Sequence, residues 1–178
     1  MVIGDSLAQG CHSLSVRAEF SRMSYAAQAT DLLKVPFVSP TFPWPVLFDL
    51  EEIIRDYLVT FPFSLQPLLH QLDKNLNDWR AHFKKPSAKA PEWFDNLAIA
   101  GSTLDQVEKL NYENTLAVLE ANKEFNFQDP FKIKNRELFD LHVGINSGFV
   151  LNPLGKKEYA AYNMLKWVEV RKPRNLVE

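Results

Sequence analysis

The sequence predicts an α/β domain built on a mainly parallel sheet. Two observations carry that expectation. The apolar runs Val2-Ile3 and Asn96-Leu97-Ala98-Ile99-Ala100 each break at a glycine-containing turn into a helical segment, as a strand does when it feeds a crossover helix. Short apolar runs also alternate with amphipathic stretches along all 178 residues, a length suited to one domain spanning 1–178. In open sheets of this kind ligands bind at the carboxyl ends of the strands, so the turns carrying Ser6 and Gly101 fall at the expected site.

Met1 to Ile3 offers only a very short first strand, whereas strands usually run about five or six residues, so an upstream portion is expected to be missing. Ser24 caps a helix through Lys34, and Pro36 to Phe42 follows as an extended run whose prolines restrict it to an edge strand or loop. Asp49 and Glu52 have capping-box character ahead of a helix to Thr60, with Leu50, Ile53, Ile54, Tyr57 and Leu58 on one face. Leu65, Leu68, Leu69, Leu72, Leu76, Trp79 and Phe83 form the most regular stripe and predict a helix over Ser64 to Phe83, with Asp73, Lys74, Asp78 and Arg80 turned away. A solvated connector, Lys84 to Pro91, leads to the strand Phe94 to Gly101 and to a helix that Thr103 and Gln106 would cap. A helix from Asn111 to Glu124 comes next, then a stretch to Pro153 without a readable period. The last helix, Lys156 to Arg171, would bury Ala161, Met164, Leu165 and Val168 with Trp167 on its flank. Asn175 to Glu178 begins another strand, so the fold is expected to continue beyond it.

Composition excludes several functions. A net charge of -2 provides no basic field for nucleic acid and no polybasic stretch for anionic lipid. The one cysteine, Cys11, can form no intrachain disulfide and matches no metal spacing. No run is long and apolar enough to cross a membrane, and no leader pattern opens the chain, which leaves localisation open, including export of a protein whose leader lies upstream. There is no phosphate loop and no elbow of the G-x-S-x-G kind, and no cofactor is expected.

The chemistry concentrates in Gly4-Asp5-Ser6-Leu7-Ala8-Gln9-Gly10 and Asn96-Leu97-Ala98-Ile99-Ala100-Gly101. A serine at the end of a strand reads as a nucleophile, and a nucleophilic serine requires a base, an orienting acid and oxyanion donors. With these two segments the chain resembles the amino-terminal part of an SGNH hydrolase, the GDSL esterases and lipases, and they match the first two of that family's motif blocks. The resemblance implies a three-layer flavodoxin-like fold, incomplete at the carboxyl end, and hydrolysis of a small-molecule or lipid ester. It also implies Ser6 as nucleophile and the N–H groups of Ser6 and Gly101 as part of an oxyanion hole, with Asp5 shaping the turn.

The family's Gly-x-Asn-Asp block has no counterpart: Gly144-Ile145-Asn146-Ser147 comes nearest, lacks the aspartate, and reads as a loop turn. Its Asp-x-x-His block is absent as well. Asp140-Leu141-His142 has a different spacing, but two positions apart on a strand would share a face, and His142 is the candidate base. His12 should point past Ser6, and His70 and His82 flank the Leu-rich helix. The expectation is an ester hydrolase of low activity on its own, and the alternative is a non-catalytic binding module that keeps the same scaffold.

Overall fold

The computed structural model describes residues 1–12, 15–47, 49, 66–127 and 135–173. It is helical. The helices are α1 (Ser6–Gln9), α2 (Ala18–Arg22), α3 (Tyr25–Leu32), α4 (Gln66–Lys84), α5 (Tyr112–Ala121), α6 (Asn135–Leu151) and α7 (Met164–Arg171), with single 3-10 turns at Leu104–Gln106 and Lys157–Tyr159. Among the described residues there is no sheet, which corrects the expected α/β, three-layer flavodoxin-like fold. Both apolar runs are extended and lie side by side in parallel: Val2 N–H donates to Asp95 O (2.8 Å), Leu97 N–H to Val2 O (2.8 Å) and Ile99 N–H to Gly4 O (3.0 Å). The pairing stops there. The 36–45 segment that could have widened it carries Pro36, Pro40, Pro43 and Pro45, which have no N–H to donate, and its one backbone-to-backbone hydrogen bond to the pair runs from Asp95 N–H to Val38 O.

Several helices form where the caps place them. Ser24 Oγ accepts from Ala27 N–H, and Asn111 Oδ1 from Asn114 N–H. The Thr103 N–H donates to Gln106 Oε1, but that box closes only a 3-10 turn instead of the expected helix. The terminal helix is also shorter than expected: Asn163 caps α7, which resets its phase, so Met164 and Trp167 are buried and Leu165 faces outward. Trp167 Nε1 donates to Leu151 O at 2.8 Å. The expected helix to Thr60 lies outside the described residues except for Asp49, and the expected strand Asn175 to Glu178 lies outside them as well. The Asp49 carboxylate is buried and accepts from Ser15 Oγ and Arg17 Nη1.

The core gathers around α4 and α6. Leu69, Leu72, Leu76, Trp79 and Phe83 turn inward from α4 as their spacing predicts, and Trp79 meets Phe42, Trp44, Phe83 and Phe149 at ring-centroid distances from 5.3 to 6.5 Å. The residues expected to face away have work of their own. Arg80 donates to Asn122 O and Phe125 O, and Asp73 accepts from Phe127 N–H, so the outer side of α4 holds the chain after α5.

α6 occupies the stretch that lacked a readable period. All residues from Val143 to Leu151 are buried, so this part of the helix is covered on every side and no polar stripe marks it in the sequence. It approaches α5 closely at Gly144 and Gly148, and Thr115 Oγ1 donates to Gly144 O at 2.7 Å. A Cβ at position 148 would stand 2.5 Å from Thr115 Oγ1 and 2.6 Å from its Cγ2. Gly148→Ala should therefore cost about 1 to 3 kcal/mol through overpacking, despite the gain in helix propensity. In a thermal melt the variant is expected to unfold several degrees below the parent, at roughly 2 to 4 °C per kcal/mol, and an unchanged or higher melting temperature would contradict the close approach.

Candidate functional site

Ser6 opens α1, where Asp5 is the N-cap and its Oδ1 accepts from Leu7 N–H at 3.1 Å. Gly10 ends the turn with φ +86, in a place where a Cβ would lie 2.3 Å from Phe20 O, so no other residue fits without backbone movement. The α1 turn is tied to the second motif segment by side chains as well as by the backbone pairing. Asn96 Nδ2 donates to Ala8 O (2.8 Å), and Ala100 N–H donates to Gln9 Oε1 (2.7 Å). The two segments quoted from sequence are thus brought together.

Between them opens a groove of about 750 Å³. Asp5 and Leu7, on either side of Ser6, line it, as do Ser102 and Thr103, which follow Gly101; Tyr25, Leu104, Val107 and Leu165 form apolar walls, and Glu108 adds a carboxylate to the lining. Ser6 and Gly101 themselves are flanked by the lining residues and are not part of the lining. Gly101 has φ +85 and is set against α6, where a Cβ would meet Val143 Cγ2 at 3.0 Å, so both conformation and space favour glycine. Leu7 and Leu104 are 76% and 90% exposed, so the groove has an apolar rim facing water.

No hydrogen bond joins Ser6 to a histidine among the described residues. Asp140 and His142 are not a pair either, because they lie on α6 instead of a strand, and positions two apart on a helix do not face one another. Asp140 is exposed near Arg136, while desolvation pushes the His142 imidazole down to about 4. His12 forms a bridge with Ser15 and sets its ring 5.2 Å from Phe20. His70 is exposed, and His82, expected on a flank, is buried against Trp44, Trp79, Phe83 and Phe149, with its pKa lowered by burial. Cys11 is a half-buried thiol, and the described residues hold no cluster of side chains suited to a metal ion. None of their helices is long and apolar enough to cross a membrane.

Asn146, expected in a loop turn, sits in α6 at zero exposure and bonds to Gln9. The sequence held no signal for this contact, because the partners are far apart and each is an isolated amide in an apolar neighbourhood. Comparisons of the chain with protein-family models, with curated proteins and with solved structures each found no match.

A histidine whose folded pKa is depressed to about 4 from 6.5 lends stability that is present above the unfolded value. That stability is lost as pH falls through the window between the two, because only the unfolded chain readily takes the proton. Proton NMR of the histidines should show His142 titrating near 4, and denaturant melts should lose on the order of 3 kcal/mol from this group between neutral pH and pH 4. A His142 midpoint near 6.5 would contradict its desolvated placement.

Proposed function

We propose that this chain carries the nucleophile and the backbone-amide half of an ester-hydrolysing site, with Ser6 as nucleophile and the groove beside it receiving an apolar acyl group. The observation that supports the reading is the hydrogen-bonded union of the Ser6 and Gly101 segments, through Val2, Gly4, Ala8 and Gln9 on one side and Asp95, Asn96, Leu97, Ile99 and Ala100 on the other. The reading rests on those segments and on their resemblance to the first two SGNH blocks, and needs no α/β sheet.

In the reaction, Ser6 Oγ bonds to the acyl carbon while its proton passes to a base, and the N–H groups of Ser6 and Gly101 meet the charge that develops on the carbonyl oxygen. Collapse expels the alcohol, which takes up a proton, and water then releases the acid from the acyl-serine. A serine at neutral pH is weakly nucleophilic without a base, and removal of a triad member lowers rates by several orders of magnitude. Turnover by this polypeptide is accordingly slow unless a base is supplied. The apolar walls formed by Leu7, Leu104, Val107 and Leu165, together with the absence of a histidine bonded to Ser6, favour as a second reading a module that holds an apolar ligand without cleaving it.

An alkyl fluorophosphonate distinguishes the two, because it is attacked by a serine oxygen with loss of fluoride and leaves a stable mass increment. Incubation with and without added imidazole, followed by intact-mass and peptide analysis, is expected to give one adduct on Ser6, formed at least about tenfold faster when imidazole acts as base. Ser6→Ala should abolish it. Saturable binding of the probe with no adduct in imidazole would support the binding module, and labelling that persists in Ser6→Ala would place the nucleophile elsewhere.

A further inference from the structure

We infer that Gln9 and Asn146 form a buried amide clasp that fixes the Gly101 turn against the Ser6 helix, which makes both of them positioning residues for the site; the catalytic part of this inference rests on the function proposed above. Gln9 ends α1 and Asn146 lies within α6, each at 0% exposure. Gln9 Nε2 donates to Asn146 Oδ1 at 2.7 Å, and Asn146 Nδ2 donates back to Gln9 Oε1 at 2.9 Å. The same Gln9 oxygen accepts from Ala100 N–H at 2.7 Å, and Asn146 Nδ2 stands 3.5 Å from Ala100 O.

These contacts set the orientation of both amides. Turning Gln9 over would aim its NH2 at the Ala100 N–H and the Asn146 NH2, setting donor against donor in a dry interior and leaving the Ala100 N–H without its acceptor. Turning Asn146 over would place its oxygen against Gln9 Oε1 and Ala100 O. A single arrangement satisfies all the groups, and it holds the backbone of Ala100 by its N–H.

The position of this contact matters because of where the backbone pairing ends. Ile99 N–H to Gly4 O is the last of its bonds, and Ser102 N–H turns back to Ile99 O, so the left-handed Gly101 lies beyond the pairing. Between Ile99 and Ser102, the bond from Ala100 to Gln9 continues the connection to α1. A leucine of similar volume would fill the space around Asn146 but would leave Gln9 and Ala100 with polar groups buried and unmatched, at a cost above that of the lost contact. Asn146 therefore reaches the Ser6–Gly101 site through Gln9 and Ala100, with its own amide directed at them.

Asn146→Asp tests the clasp because its chemistry depends on pH. A protonated carboxyl can donate its O–H to Gln9 Oε1 and accept from Gln9 Nε2, reproducing the native pair, whereas the carboxylate offers only acceptors and faces two oxygens. Burial raises the pKa of that carboxyl in the folded state, so the clasp is present at low pH and lost as pH rises through the raised value. Amide hydrogen exchange of Ala100 and Gly101, each compared with the parent at the same pH, should be near parental at about pH 5 and at least about tenfold faster at about pH 8. Asn146→Leu should exchange faster at both, while α4 amides stay at the parental rate, and fluorophosphonate capture at Ser6 should fall whenever exchange at Ala100 rises. A pH-independent ratio in Asn146→Asp, or acceleration in α4 equal to that at Ala100, would overturn the clasp. If the parent captures no probe at Ser6 even in imidazole, the proposed function fails, and the exchange ratios still decide the clasp.

Discussion

The parallel backbone pairing of residues 2–4 with 95–99 is the constraint on which the Ser6 neighbourhood depends. Joining segments roughly ninety residues apart costs about 4 kcal/mol in loop-closure entropy before any contact is made. Burial offsets that cost: Val2, Ile3, Leu97, Ala98 and Ile99 are almost wholly removed from water, each large side chain contributing about 1.5 to 3 kcal/mol. The pairing then places α1 directly after one strand-like segment and the Gly101 turn directly after the other. Asn96, bonded to Ala8 O and to Ala98 N–H, satisfies backbone groups that the short pairing leaves over.

α6 turns this local arrangement into a packed one. Its glycines let α5 approach, Phe149 enters the aromatic group around Trp79, Val143 and Phe139 back the Gly101 turn, and Asn146 meets Gln9. One helix whose second half, Val143 to Leu151, has no solvent face thus connects the core to the candidate site. Such a helix tolerates little change, since each of its sides meets a different neighbour.

The difference between what the sequence offered and what the chain does follows from these two features. α4 was legible because one side is apolar and the other charged, and the helix starts at Ser24 and Asn111 are marked by a local capping bond that sequence can show, whereas the cap at Asn163 went unread and the last helix was expected from Lys156. α6 was not legible because Gly144 to Leu151 is buried all round, which removes the periodic signal. Val2-Ile3 and Asn96 to Ala100 read as strands, and they are extended and paired, yet a sheet needs further partners, and the proline-bearing 36–45 segment adds a single backbone-to-backbone hydrogen bond. Ser6 and Gly101 were legible as members of two segments that belong together. The reading of Asp140 and His142 as one face of a strand was an error of secondary structure: the two-residue spacing that aligns side chains on a strand separates them on α6. The Gln9–Asn146 pair is a tertiary contact between single amides, for which no local pattern exists.

In the proposed site the N–H groups of Ser6 and Gly101 serve one oxygen. Titration of the nitrogen-15-labelled chain with an alkyl boronic acid, which forms a tetrahedral adduct on a serine oxygen, observes both amides at once. The Ser6 and Gly101 resonances are expected to move together and saturate together, and neither should move in this way in Ser6→Ala. Movement of the groove residues Leu104 and Leu165 with Ser6 and Gly101 unmoved, or movement of Ser6 without Gly101, would contradict it.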